Sequence, residues 1–143
     1  MHEVFSNSPE ETINIGKRIA AGLSKGSVIA LNGTLGSGKT YLTKGIALGL
    51  DINESITSPT YTIINEYSTP SSYPFYHIDA YRLKDDRDFE NIGGLEIIHS
   101  DGISIIEWSE RIPKSLPENA ITVSIEITGS SSRLIKINGG FLP

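Results

Sequence analysis

The 143-residue chain has no cysteine, one methionine and one tryptophan. Without thiols there is no disulfide scaffold, no thiolate-bound zinc and no cysteine nucleophile; the composition fits a reducing compartment, and the cytoplasm is the expected location. No stretch approaches the ~18 consecutive apolar residues of a membrane span, and the opening MHEVFSNSPEE carries neither the basic segment nor the apolar run of a secretory leader. Positive charge is also short: 12 Lys plus Arg against 17 Asp plus Glu leave a net charge of −5. Such a surface repels a phosphate backbone, so unaided binding of DNA or RNA is not expected, and any polyphosphate ligand has to be held by local geometry. His2, His77 and His99 are not at metal-ligand spacing.

With 38% apolar residues, a chain of this length can bury a core as one domain, taken as residues 1–143. Ser8-Pro9-Glu10-Glu11 matches a capping box with Pro at the first helical position, and apolar residues then recur at helical spacing to Leu23. The apolar run 28–31 reads as a buried strand, and Leu42, Ile46 and Leu50 mark a second helix. Residues 61–67 and 75–78 read as two strands joined by a serine- and proline-containing turn. Residues 84–90 read as a short exposed helix, either a docking face or simply a solvated one. Residues 103–106 form another buried-strand candidate, and residues 121–127 with 134–137 form a hairpin around Gly129-Ser130-Ser131-Ser132. The expected fold is α/β and P-loop NTPase-like: a mixed central sheet with a parallel part, antiparallel hairpins and flanking helices.

Between the first predicted strand and the second helix lies Gly33-Thr34-Leu35-Gly36-Ser37-Gly38-Lys39-Thr40, which fits G-x-x-x-x-G-K-[ST]. Glycines let backbone N–H groups turn inward around phosphate oxygens, Lys39 can reach the outer phosphates, and the Thr40 hydroxyl can ligate Mg2+. At this chain's composition about 0.01 such matches arise by chance. ATP with Mg2+ is the expected ligand; no N-K-x-D signature points to guanine. Gly33, Leu35, Gly36, Ser37, Gly38, Lys39, Thr40 and Tyr41 are therefore the expected cofactor contacts.

Phosphoryl chemistry also needs a strand-end acid for the metal and a group to orient the nucleophile. Glu107, after the purer apolar run, is assigned with Thr40 to the metal. Asp79 is assigned to the attacking water, against the alternative of a helix cap or an ion pair with Arg82. Lys39, Asp79 and Glu107 make up the catalytic set. Trp108 can stack on a nucleotide or lie in the core, His77 reads as a hydrogen-bonded structural residue, and Ser58-Pro59-Thr60 reads as a loop that can present hydroxyls to the γ-phosphate.

Taken in order, G-x-L-G-x-G-K-T at 33–40, S-P-T-Y-T at 58–62, H-x-D-x-Y-R at 77–82 and I-E-W at 106–108 resemble the TsaE family, formerly YjeE. These are bacterial ATPases of tRNA threonylcarbamoyladenosine biosynthesis, and the resemblance runs from about Ser8 to Arg133. It implies a Mg2+-dependent ATPase, weak when isolated, that acts with the TsaB and TsaD proteins. TsaD transfers the threonylcarbamoyl group to the adenosine beside the anticodon of tRNAs reading codons that start with A. The tRNA is reached only through that assembly. The resemblance also implies metal contacts at Thr40 and Glu107, a catalytic or metal-linked Asp79, and an adenine end near Ser8, Pro9 and Arg133. Thr34 stands where the family usually has Asp, Ser37 where Ala is common and Tyr41 where Thr is common. The rival readings are a small-molecule kinase, for which no arginine-bearing lid is visible, and a non-catalytic nucleotide sensor.

Overall fold

The computed structural model describes residues 1–59 and 62–139. Its elements in order are β1 (His2–Ser6), α1 (Pro9–Ala21), β2 (Val28–Gly33), α2 (Lys39–Gly49), β3 (Ile64–Tyr67), β4 (Phe75–Asp79), α3 (Asp86–Asn91), α4 (Gly94–Ile98), β5 (Ile103–Glu107), β6 (Ile121–Ile127) and β7 (Arg133–Asn138). A 3-10 turn, Ser109–Arg111, follows β5.

The strands form one sheet in the order β1-β7-β6-β2-β5-β4-β3. The inner four, β6, β2, β5 and β4, are mutually parallel, while β7, β1 and β3 add antiparallel edges. This division follows the side chains. β5 is buried along its whole length and β2 over its first four residues, as befits strands covered on both faces. The edge strand β1 alternates between more and less exposed positions.

Ile29, Leu31, Ile103, Ile105 and Val123 face α1 and α2, meeting Ile15, Ile19, Leu42 and Ile46. Val28, Ile78 and Ile106 face the other way, onto Phe89, Ile98 and Ile112. α3 therefore differs from the exposed helix expected at 84–90: it begins two residues later and is anchored by the fully buried Phe89. Its charges occupy the remaining positions, which masked the single apolar anchor in the sequence. β3 starts at Ile64 rather than 61, and β1 and α4 were not expected at all.

Because the inner strands run parallel, their carboxyl ends share one edge of the sheet. Gly33, Asp79, Glu107 and Ile127 all end strands there. β1 runs antiparallel to β7 and so ends at that edge too, delivering the start of α1 to it. A crevice at the carboxyl ends of parallel strands is the usual ligand position in open α/β sheets.

α1 lies against α2 at backbone distance. A Cβ on Gly45 would stand 2.1 Å from the Ile13 carbonyl oxygen, and one on Gly16 would stand 2.5 Å from that of Leu42. This contact fixes how α1 approaches the crevice. Gly45→Ala is expected to destabilise the chain by roughly 1–3 kcal/mol despite alanine's better helix propensity, because backbone atoms must move. Gly129→Ala, which meets mainly a rotatable Ser132 hydroxyl, is the near-neutral control. Urea denaturation of both checks the contrast.

Candidate functional site

At the shared edge lies a cavity of about 760 Å³. Its floor is residues 35–41, the loop and the start of α2; its walls are Ser8, Pro9 and Thr12 of the α1 end, Ser130, Ser131 and Arg133 of the β6–β7 hairpin, and Ser58, Asp79, Tyr81, Glu107 and Trp108.

The three longer helices of the chain begin differently. α1 and α3 have side-chain caps, Ser8 and Asp85, and acidic residues in their first turns. α2 has Gly38 at its N-cap, no capping side chain and no acid in its first turn. Its ladder starts with Leu42 N–H to the Gly38 carbonyl at 3.1 Å, so the N–H groups of Lys39, Thr40 and Tyr41 precede the first intrahelical bond. Those donors and the positive helix end favour an anion. Gly36 and Gly38 have φ of +79° and +109°, the left-handed region in which glycine alone is unstrained. The Ser37 hydroxyl is buried under the loop without a hydrogen-bond partner.

Opposite the loop, parallel register sets Asp79 beside Glu107. The Lys39 Nζ lies 3.7 Å from Glu107 Oε1 and 4.8 Å from the centre of the Trp108 ring. His77 Nε2 lies 2.5 Å from Glu107 Oε2. Burial works against the Glu107 charge, but the His77 hydrogen bond and charge, with Lys39 behind them, outweigh it and hold the carboxyl below its ordinary value. Asp79 goes the other way: burial raises it, the Tyr81 N–H opposes and the Glu107 charge adds to the rise. Its Oδ1 accepts from the Tyr81 N–H at 3.0 Å, a local turn contact, rather than from Arg82.

Two residues beside these acids occupy uncommon backbone conformations. Trp108 has φ +59° and Ile63 φ +67°. The Ile63 carbonyl accepts the Asp79 N–H at 2.8 Å, and that of Glu107 accepts the Ala80 N–H at 2.9 Å. Strain of ~1–3 kcal/mol per residue at such a place is a mark of functional sites.

The structure thus gathers Ser8, Pro9, Leu35, Gly36, Ser37, Gly38, Lys39, Thr40, Tyr41, Asp79, Glu107, Trp108 and Arg133 around one cavity. Gly33 sits at the end of β2 just behind the loop. Thr60 lies outside the described residues. Thr34 is exposed, and its carbonyl accepts the Ser37 N–H. His77, expected as a hydrogen-bonded structural residue, is buried and hydrogen-bonds Glu107. Part of the cavity lining was not singled out in the sequence. Tyr81, whose ring packs on Trp108 with centroids 5.0 Å apart, was quoted only within a motif.

The donor set fits Mg2+ bound to a phosphate chain. It offers a threonine hydroxyl and an ionised carboxylate beside an anion cradle, hard oxygen ligands of the kind Mg2+ takes while keeping waters and substrate oxygens. Among the described residues, no cluster of three His, Cys, Asp or Glu forms a separate metal site. No described helix is long and apolar enough to cross a membrane.

The family described as "Threonylcarbamoyl adenosine biosynthesis protein TsaE" matches residues 6–135. The chain is 40% identical over 132 residues to the tRNA threonylcarbamoyladenosine biosynthesis protein TsaE of Treponema pallidum, covering 92% of this chain and 96% of that one. It is 41% identical over 128 residues to the Bacillus subtilis protein of the same name, covering 90% and 79%. A crystal structure of Bacillus subtilis YdiB superposes with a TM-score of 0.79 at 35% identity, covering 97% of this chain and 85% of that one.

The two acids should respond oppositely to neutralisation. A raised carboxyl contributes stability that is complete below its ordinary value of 3.8 and is lost as pH rises through the folded value. Asp79→Asn is therefore expected to raise Tm at pH 7, with the gain closing below about pH 4. A lowered carboxyl contributes above its ordinary value, so Glu107→Gln lowers Tm at pH 7. Thermal melts from pH 3 to 8 check both signs.

Proposed function

The chain belongs to the TsaE family, whose members take part in tRNA threonylcarbamoyladenosine biosynthesis, and from that premise we propose that it is a one-domain, Mg2+-dependent ATPase serving TsaB and TsaD in the cytoplasm. The observation that carries this reading is one cavity bounded by an uncapped helix start, Lys39, the buried Glu107 carboxylate and the half-buried Asp79 carboxylate.

Bound Mg2+-ATP would supply the γ-phosphoryl group and the oxygen charge that the site has to stabilise. The loop and α2 direct N–H groups at the phosphate chain, and Lys39 brings a cation to it. Thr40 and Glu107 offer oxygens to the metal, and His77 holds one Glu107 oxygen in place. Asp79, whose burial makes it a better proton acceptor than an exposed aspartate, orients and deprotonates the attacking water. Ser8, Pro9 and the hairpin serines border the far end of the cavity, where the adenosine fits.

Among the described residues, Arg133 is the single arginine lining the cavity, and its guanidinium hydrogen-bonds backbone carbonyls. Nothing described here acts as an arginine finger on the transferring group, a contribution worth ~10³–10⁵ where present. Slow turnover by the isolated chain follows, with acceleration left to a partner. In this reading the threonylcarbamoyl chemistry falls to TsaD, and the acidic balance fits a protein that reaches tRNA only through that assembly.

Lys39→Ala and Glu107→Gln are each expected to lower Mg2+-dependent ATP hydrolysis by about 10² or more. In cells depleted of the native protein, both variants should leave tRNA threonylcarbamoyladenosine low by nucleoside mass spectrometry. Full restoration of the modified nucleoside by a variant that cannot hydrolyse ATP would overturn the ATPase role; a level untouched by depletion would overturn the function itself.

A further inference from the structure

Arg133 opens β7, opposite Ser6 of β1 and Ile127 of β6, so it stands where the loop, the hairpin turn and the start of α1 meet. Its Nε donates to the Ser37 carbonyl at 2.8 Å and its Nη2 to the Gly36 carbonyl at 3.3 Å. Its Nη1 donates to the Ser132 carbonyl at 2.8 Å and the Gly129 carbonyl at 3.1 Å. One planar, half-buried guanidinium therefore joins the phosphate loop to the hairpin turn.

In a trans peptide unit the carbonyl oxygen and the following N–H point in opposite directions. Holding the Ser37 carbonyl toward Arg133 thus turns the N–H of Gly38, itself part of the cavity lining, away from that guanidinium. The Ser37 N–H bond to the Thr34 carbonyl and the Leu42 N–H bond to the Gly38 carbonyl restrain the neighbouring peptide units, but neither engages the carbonyl of Ser37 or the N–H of Gly38. A Cβ built on Gly36 or Gly38 would meet nothing within 4 Å, so packing does not restrain the two glycines that flank Ser37. Glycine's wide conformational freedom makes such a loop costly to order unless hydrogen bonds fix it. A guanidinium fork can bind two adjacent carbonyls and two hairpin carbonyls together; an ammonium, a point charge on a flexible stem, cannot keep that geometry.

We propose that Arg133 is a positioning residue that preorganises the anion cradle through the Gly36 and Ser37 carbonyls, rather than a contact to the base. The proposal rests on the reading of the cavity as a phosphate site, and it locates the action of the hairpin arginine in the loop, away from the adenine end.

The test uses the full chain, with Arg133→Gln and Arg133→Lys beside the wild type. Amide hydrogen exchange of residues 34–40, measured by NMR without ligand, is paired with calorimetric titration by ATP and by inorganic tripolyphosphate, which has no base. Both variants are expected to speed exchange at Ser37, whose N–H bonds the Thr34 carbonyl within the loop, while leaving β2 and β5 protected. Both are expected to weaken ATP and tripolyphosphate by the same factor, about tenfold for Gln, with Lys only partly restoring it. Unchanged loop exchange in the variants would overturn the proposal, as would weakened ATP binding with tripolyphosphate unaffected. If Arg133→Gln does not fold, Arg133→Lys decides by the same criteria. A wild-type chain that binds neither ligand would defeat the phosphate-site reading, while the exchange comparison would still decide whether Arg133 orders the loop.

Discussion

The start of α2 is the feature on which the site depends. A helix that begins at a glycine, with no capping side chain and no acid in its first turn, leaves backbone donors and a positive end directed at a cavity. α1 and α3 satisfy the same need internally, with Ser8 accepting from Glu11 and Asp85 from Asp88. Of the three longer helices, α2 alone lacks that satisfaction, and it starts where the sheet's parallel strands end together. The architecture then brings complementary groups there: β4 and β5 deliver the acids, β6 and β7 the hairpin, and β1 the end of α1.

Electrostatics inside the cavity is local. The chain is acidic overall, yet Lys39 is seated between Glu107 and the Trp108 ring, and His77 backs the other oxygen of the same carboxylate. A carboxylate this buried would ordinarily resist ionisation; its two cationic or hydrogen-bonding neighbours reverse that tendency. Asp79, one register position across and without such neighbours in contact, moves in the opposite direction. Two adjacent acids pushed apart in this way can serve different roles, one as a standing anion and the other as a proton acceptor. The left-handed Trp108 and Ile63 hold the backbone on either side of that pair.

Much of this was legible in the residues. The parallel core could be read because 28–31 is a continuous apolar run and 103–106 is apolar but for Ser104, and the antiparallel hairpin because 121–127 alternates. The capping box at Ser8 placed the start of α1 at Pro9, while the helix ends at Ala21, two residues before the expected Leu23. What escaped notice has physical causes. β1 is an edge strand of mixed polarity, which carries little periodic signal, and α4 is a five-residue helix held mainly by Gly94 and Ile98. Arg133 could be placed near the site, but its attachment to Gly36 and Ser37 spans almost a hundred residues and no local pattern encodes it. His77 could be read as a hydrogen-bonded residue, but its partner could not be named for the same reason: Glu107 is thirty residues away and adjacent only through the β4–β5 register.

The account stands on Glu107 being a metal ligand held ready by His77 beside an anion cradle, and calorimetric ATP binding with and without Mg2+, in the wild type and in Glu107→Gln, tests it most directly. The expected result is that Mg2+ strengthens wild-type binding by about tenfold or more, and that Glu107→Gln loses this enhancement while keeping its metal-free affinity. An equal Mg2+ enhancement in both proteins would contradict the assignment of Glu107.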